Sequence, residues 1–345
     1  MGEDDEQRTE AVILHSCRAP DPAATLPLVQ IEPFLFTDEA VSDETLTFNR
    51  DLQELLVTLP PTHTQTPQGV REERLGGGPP WGPVVYSNHA RNLTIDGPGG
   101  ELLLRIIEVG DAEGVYLHIH GGGWVLGAAE LSDVGNEAMA REAGVTVVSV
   151  DYRLAPECPY PAGVDDCFAA ARWLIDNCGA EFGTNKLTIG GESAGANLVA
   201  ATLLRVKDEL GYTAWRGANL AYGVYMLPAS PSVRAWTTEG FVLDPDTMFW
   251  FGDHYVGTKE PDHTDPYFSP IYGDLGNLPP ALFTIGTWDP LVDDTLFMAS
   301  RWAAAGNTVD LAIYPGGVHA FDAFPTTIGL TARQRMHRFI AEATA

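Results

Sequence analysis

One stretch, from Lys186 to Leu198, constrains the fold more than any other part of the chain. Alternating apolar residues lead into the motif G-x-S-x-G, and an alanine- and leucine-rich helical pattern follows it. A strand, a sharp turn and a helix in this order form the context of a nucleophile elbow. Gly191 and Gly195 flank Ser193 because larger side chains on so tight a turn would collide with neighbouring segments. We therefore predict that Ser193 is a catalytic nucleophile; the alternative is an ordinary glycine-rich loop between a strand and a helix.

The composition and net charge limit the binding partners and the cellular compartment that we expect for the protein. The chain has 345 residues and 45% hydrophobic residues, which suits one large domain or a domain with an appended cap. Its 20 Lys and Arg against 47 Asp and Glu give a net charge of −27, so we expect neither nucleic acid nor a membrane as partner. No apolar stretch reaches the length of a membrane span. The four cysteines have no metal-ligand spacing, and we expect them to be reduced thiols in the cytoplasm; they are Cys17, Cys158, Cys167 and Cys178.

Beyond residue 84 the sequence alternates between strand-like and helical patterns. The strand-like runs are Glu101–Glu108, Gly114–His120, Val145–Tyr152, Lys186–Gly190, Leu220–Tyr225, Ala281–Thr287 and Val309–Tyr314. The helical runs are Leu131–Ala143, Val164–Asn177, Ala194–Leu210, Val292–Ala305 and Thr327–Ala343. Short strands that are apolar on both sides are typical of a parallel sheet covered on both faces. The pattern predicts an α/β fold with a mostly parallel central sheet, helices on both faces and a cap.

Two segments interrupt this alternation. Within the N-terminal segment 1–80, residues 38–59 have a helical apolar period, whereas Pro60–Pro83 is rich in Pro, Gly and Thr and is predicted to be a linker or loop. The second segment, 228–265, contains several prolines and aromatic residues. Long excursions from compact α/β domains usually carry function. We therefore predict a cap built from residues 1–80 and 228–265 over a catalytic domain formed by residues 84–227 and 266–345, although the insertion could also be an excursion with a small core of its own.

A glycine-rich loop, His120-Gly121-Gly122-Gly123-Trp124, directly follows a strand. Successive glycines allow backbone N–H groups to point at one spot, as an oxyanion hole requires. We predict that Gly121, Gly122 and Gly123 form this site together with the N–H of Ala194; a flexible turn is the alternative. His120 is expected to tether the loop through its ring rather than to act as a base.

The general base and its acidic partner are expected late in the chain. His319 follows the last strand-like run and a pair of glycines that are expected to turn the chain. Asp289 stands at the carboxyl end of the preceding strand, where catalytic groups collect in open α/β sheets. Asp293 and Asp294 suit the N-terminus of the next helix, and Asp322 is a weaker rival. The resulting order is Ser193, Asp289, His319, the order of the α/β-hydrolase fold.

These motifs, together with the segment 151–157 (Asp-Tyr-Arg-Leu-Ala-Pro-Glu), resemble the bacterial hormone-sensitive-lipase family of esterases (family IV) over residues 84 to 340. The resemblance implies hydrolysis of short-chain carboxylic esters without a cofactor or metal, and a cap built from the N-terminal region and an insertion. It also implies that Asp151 and Arg153 are buried and paired. The chain departs from the family pattern at Glu192, where Asp is commoner, and at Ala196 and Ala320, where Gly is commoner.

We therefore expect a serine carboxylesterase that forms an acyl-enzyme from a small, fairly apolar ester. The substrate pocket is expected to include Trp124, Leu126, Glu192, Phe249 and Trp250. Hydrolysis of amides or lactones uses the same groups and stays an alternative. A non-catalytic receptor for a small ligand is less favoured because His319 is present. The resemblance also implies a homodimer as a candidate assembly, since members of this family often dimerise.

Overall fold

A computed structural model describes residues 29–238, 241–258 and 261–345 of the chain. The predictions that concern residues 1–28, including that for Cys17, lie outside the described residues. Within them the predicted α/β architecture is confirmed: one eight-stranded sheet carries helices on both faces.

The sheet has the strand order β1-β2-β4-β3-β5-β6-β7-β8. β1 and β2 form an antiparallel hairpin and β2 pairs antiparallel with β4, whereas all pairs from β4 through β8 are parallel. β1 was not predicted because its exposed face carries polar residues and its apolar alternation is weak. The strands are β1 Ala90–Gly97, β2 Gly100–Ile107, β3 Gly114–Ile119, β4 Val145–Val150, β5 Leu187–Glu192, β6 Gly217–Ala221, β7 Ala281–Trp288 and β8 Val309–Val318.

Helices cover both faces of this sheet. One cluster of buried side chains joins the sheet to α4, α5 and α8, and a second cluster joins it to α1, α3 and α9. The helices are α1 Asp43–Leu56, α2 Pro67–Leu75, α3 Asp133–Ala143, α4 Ala162–Phe182, α5 Ala194–Leu210, α6 Pro231–Ala235, α7 Pro245–Val256, α8 Val292–Ala304 and α9 Thr327–Thr344. The five helices predicted in the catalytic domain are thus confirmed, with ends that differ by a few residues.

Residues 60–83 contain more regular structure than their composition indicates. α1 confirms the helical period of residues 38–59, but the linker predicted for Pro60–Pro83 is wrong, because it contains α2. The Thr66 hydroxyl accepts a hydrogen bond from the Gly69 N–H, and Pro67 occupies the first turn, where its missing N–H is not needed. The guanidinium of Arg71 then fixes α2 to the catalytic domain through the carbonyl oxygens of Val125 and Ala155.

Candidate active site

Ser193 lies on a strained turn between β5, which ends at Glu192, and α5, which begins at Ala194. Its φ of 56° and ψ of −122° are unusual for a residue with a side chain. A Cβ atom added to Gly191 or Gly195 would lie 2.3 Å or 2.0 Å from the carbonyl oxygen of Ile119 at the end of β3. The two flanking glycines are therefore required because the turn passes directly against the neighbouring strand.

The structure brings together the three residues predicted for catalysis. The Oγ atom of Ser193 lies 2.9 Å from Nε2 of His319, and Nδ1 of His319 lies 2.8 Å from Oδ2 of Asp289. Oδ1 of Asp289 accepts a hydrogen bond from the Leu291 N–H, so both carboxylate oxygens are held. His319 and Asp289 are buried. This geometry suits a relay in which the carboxylate orients the imidazole and the imidazole takes a proton from the hydroxyl.

The loop that presents His319 differs from the prediction. Gly316 and Gly317 do not end the strand, because β8 continues through them to Val318. They do deflect it: Gly316 has a left-handed φ of 71°, and the pairing of β7 with β8 shifts register beside these glycines. A Cβ on Gly286 would lie 2.0 Å from the carbonyl oxygen of Gly317, so these glycines allow β7 and β8 to approach closely. The turn comes one residue after His319, at Ala320, which has a left-handed φ of 60°.

The rival carboxylates have other partners. Oδ1 of Asp294 accepts the N–H groups of Tyr225 and Met226, and Asp294 is buried in the first turn of α8. Burial raises the pKa of Asp294 to about 6. Asp293 accepts the N–H of Ser232, and Asp322 accepts the hydroxyl of Tyr222 at 2.6 Å. None of these hydrogen bonds involves His319, so Asp289 alone among these carboxylates occupies the position of its acidic partner.

Three of the four predicted oxyanion donors are free: two in the glycine-rich loop after β3 and one at the start of α5. The Gly121 N–H donates to Oε1 of Glu192 at 2.8 Å, so Gly121 does not offer the donor that the sequence predicted. Within the described part of the chain, the N–H groups of Gly122, Gly123 and Ala194 have no hydrogen-bond partner. The positive φ angles of Gly122 and Gly123, 112° and 60°, require glycine-like freedom. These three N–H groups are the candidate oxyanion donors.

The ring of His120 makes a contact of the kind predicted for a residue that tethers the glycine-rich loop. Its Nδ1 atom lies 2.8 Å from the carbonyl oxygen of Gly121, and its ring stacks on Tyr152 with a centroid distance of 4.2 Å. Burial lowers the pKa of His120 below its ordinary value, which favours a neutral ring.

A cavity of about 830 Å³ opens above Ser193. Trp124 and Glu192 line it as predicted, but the other three predictions for its wall are wrong. Leu126 is fully buried in the core, Phe249 points to solvent with 41% exposure, and Trp250 does not line the cavity.

α7 turns a different face to the cavity from the one predicted with Phe249 and Trp250. Thr247, Met248 and Phe251 line the cavity, as the spacing of three and four residues along one helix face requires. Phe251 contacts the glycine-rich loop so closely that a Cβ on Gly123 would lie 2.3 Å from its ring. The apolar period of α7 was the signal that sequence reasoning missed.

Arg153 forms its ion pair with Asp166 at 2.8 Å, and Asp151 instead accepts the Ala129 N–H. Asp151 and Arg153 are both half-buried, so the expected buried pair of these two residues is wrong.

Tyr222, which the sequence did not single out, packs edge-on against the ring of His319 at a centroid distance of 4.9 Å.

Residues 29–238, 241–258 and 261–345 contain neither a metal-binding cluster nor a membrane-spanning helix. In those ranges no cluster of three or more His, Cys, Asp or Glu side chains is arranged to hold a metal ion. No helix in the same ranges is both long enough and apolar enough to cross a membrane.

Comparison with known proteins gives one consistent result. The family described as alpha/beta hydrolase fold matches residues 116–323, more than half of the chain. The carboxylic ester hydrolase LipN of Mycobacterium tuberculosis is 34% identical over 248 residues, which are 70% of this chain and 66% of LipN. An arylesterase of Saccharolobus solfataricus is 39% identical over 218 residues, 62% of this chain and 70% of that protein.

A solved structure extends the similarity to nearly the whole chain. The hyperthermophilic esterase from the archaeon Pyrobaculum calidifontis superposes with a TM-score of 0.77 at 31% identity, covering 87% of this chain and 98% of that one. The chain therefore belongs to the α/β-hydrolase fold family and, within that superfamily, to the carboxylesterases that resemble hormone-sensitive lipase.

Proposed function

We propose that this carboxylic ester hydrolase acts on short-chain, fairly apolar esters through an acyl-enzyme on Ser193. The observation that carries the proposal is the continuous chain of hydrogen bonds from Ser193 through His319 to Asp289. A serine hydroxyl alone is a poor nucleophile at neutral pH, and this arrangement provides the base that activates it.

The reaction has two halves. In the first, the Oγ of Ser193 attacks the ester carbonyl while Nε2 of His319 takes its proton, and the resulting imidazolium is stabilised by Asp289. His319 then gives the proton to the leaving alcohol as the C–O bond breaks. In the second half, a water attacks the acyl-enzyme, again with His319 as base, and the acid is released from Ser193. The N–H groups of Gly122, Gly123 and Ala194 stabilise the oxyanion in both halves.

The size and the lining of the cavity support the proposal of a small substrate. Its volume, about 830 Å³, falls within the range of pockets for small ligands. Phe251 and Met248 of α7 and Trp124 of the glycine-rich loop supply apolar surface near Ser193. We extend the proposal to the architecture: residues 228–265 and the N-terminal segment 1–80 form the cap, because α7 and the N-terminal residues Thr62 and Arg74 line the same cavity.

The test is hydrolysis of para-nitrophenyl acetate, butyrate, octanoate and laurate by the wild type and by Ser193→Ala. The proposal expects rates that fall from butyrate to laurate and vanish in the variant. Faster hydrolysis of laurate than of butyrate would contradict the short-chain part. A folded wild type that cleaves matched anilides or lactones but no ester would contradict ester hydrolysis and favour the amidase or lactonase alternative.

A further inference from the structure

Glu192, the residue before the nucleophile, is held at both carboxylate oxygens. Oε1 accepts the Gly121 N–H at 2.8 Å, and Oε2 lies 3.1 Å from Nε2 of His118 on β3. The backbone is equally close, since a Cβ on Gly121 would lie 2.7 Å from the carbonyl oxygen of Glu192. The glycine-rich loop and the nucleophile turn therefore share one anchor, the Glu192 carboxylate.

The orientation of His118 is itself determined by two neighbours. Its ring is buried, and Nδ1 lies 2.8 Å from Oγ of Ser149 and 3.1 Å from Nδ2 of Asn136. An amide nitrogen only donates hydrogen bonds, so Nδ1 of His118 is an acceptor and the ring proton is on Nε2. Nε2 of His118 therefore donates a hydrogen bond to Oε2 of Glu192.

The position of this carboxylate matters for the reaction. The Glu192 side chain retains 33% exposure and lines the cavity beside Ser193. Burial would raise the pKa of Glu192, but His118 and the Gly121 N–H hold that pKa below its usual value. A carboxylate that was free to turn toward the oxyanion would repel it, and a displaced Gly121 peptide would misdirect the N–H groups that follow.

We propose that His118 is a positioning residue that acts through Glu192 to fix the Gly121 peptide and thereby aims the N–H groups of Gly122 and Gly123 at the oxyanion. The proposal rests on the proposed function, because it concerns acyl transfer at Ser193. Since these N–H groups act most strongly on the transition state, loss of the His118 contact lowers kcat and leaves KM nearly unchanged.

The first part of the test compares three variants on para-nitrophenyl butyrate. His118→Phe is expected to lower kcat about 10- to 100-fold, less than the loss of a whole oxyanion donor, with KM within about twofold. His118→Gln keeps an N–H that reaches Glu192 and is expected to restore kcat to within about threefold of the wild type. Thr188→Val is the matched control: it removes a buried hydroxyl from the same sheet, bonded to the Val115 carbonyl, without touching Glu192. Its kcat is expected to stay within about twofold of the wild type.

The second part asks whether the effect passes through Glu192. In a Glu192→Ala background, His118→Phe is expected to lower kcat by less than about threefold, because the relay is already broken. An equal loss of kcat in both backgrounds would overturn the proposal. So would a KM that rises in the His118 variants in parallel with a loss of their thermal stability. If His118→Phe does not fold, His118→Asn against His118→Gln makes the same comparison, since the shorter amide does not reach the carboxylate. A wild type that hydrolyses no ester would instead refute the proposed function, and the inference with it.

Discussion

The hydrogen bond between α1 and β8, the strand that leads to His319, allows the contribution of α1 to the stability of the fold to be measured. Nδ2 of Asn49 donates to the buried carbonyl oxygen of Gly316 at 2.8 Å, 267 residues away in the sequence. On the other side of Gly316, its N–H donates to Oγ1 of Thr287. A Cβ on Gly316 would lie 2.5 Å from Val41, so the stretch just before α1 packs tightly on this strand.

Asn49→Leu keeps the number and branching of the side-chain heavy atoms but leaves the Gly316 carbonyl without a donor in a buried site. An unsatisfied buried acceptor costs about 1–3 kcal/mol, so the free energy of unfolding is expected to fall by that amount and the melting temperature by a few degrees. Arg50→Ala is the matched control, because Arg50 is an exposed neighbour on α1 whose ion pair with Asp51 is 3.8 Å long. Denaturant unfolding followed by fluorescence measures both variants. Equal stability of Asn49→Leu and Arg50→Ala would refute the view that α1 braces the strand before His319.

Three further substitutions have defined outcomes. Asp289→Asn is expected to lower kcat about 10⁴-fold at unchanged fold, measured on para-nitrophenyl butyrate, because an amide does not hold the required tautomer of His319; a loss below about tenfold would contradict that role. Phe251→Ala widens the cavity beside the glycine-rich loop, and the octanoate-to-butyrate rate ratio is expected to rise; an unchanged ratio would remove Phe251 from the acyl site. Burial raises the pKa of Asp294 to about 6, above the value of about 3.9 in an unfolded chain, so this group destabilises the fold as pH rises from about 4 to about 6. Asp294→Asn avoids that loss, so the melting temperature of the variant minus that of the wild type is expected to be larger at pH 7.5 than at pH 4.5. The increase corresponds to at most roughly 3 kcal/mol in the free energy of unfolding. A difference in melting temperature that does not change with pH would contradict the assigned pKa.

The sequence predicted those features that depend on local sterics and on chain order. The elbow around Ser193 is an example, because its glycines, strand and helix are contiguous and each is needed for the turn. Asp289 and His319 were found for a related reason: the carboxyl ends of parallel strands meet at one edge of the sheet, so their order in the chain gives their place at the site.

What the sequence did not predict depends on contacts between distant segments. The N–H of Gly121 is taken by Glu192, a fact that follows only from the approach of β3 to β5. Phe251 rather than Phe249 reaches the cavity because the rotation of α7 is set by its packing. The helix α2 was hidden by a composition typical of loops, although Thr66 and Pro67 form a recognisable helix start.

The most direct test of the central claim is mass spectrometry of the intact protein quenched during turnover of a slow ester substrate. If Ser193 is the nucleophile, the protein gains the mass of one acyl group, which maps to the peptide that contains Ser193 and is absent from Ser193→Ala. An acyl group on another residue, or continued turnover by Ser193→Ala, would contradict the proposal that Ser193 is the nucleophile.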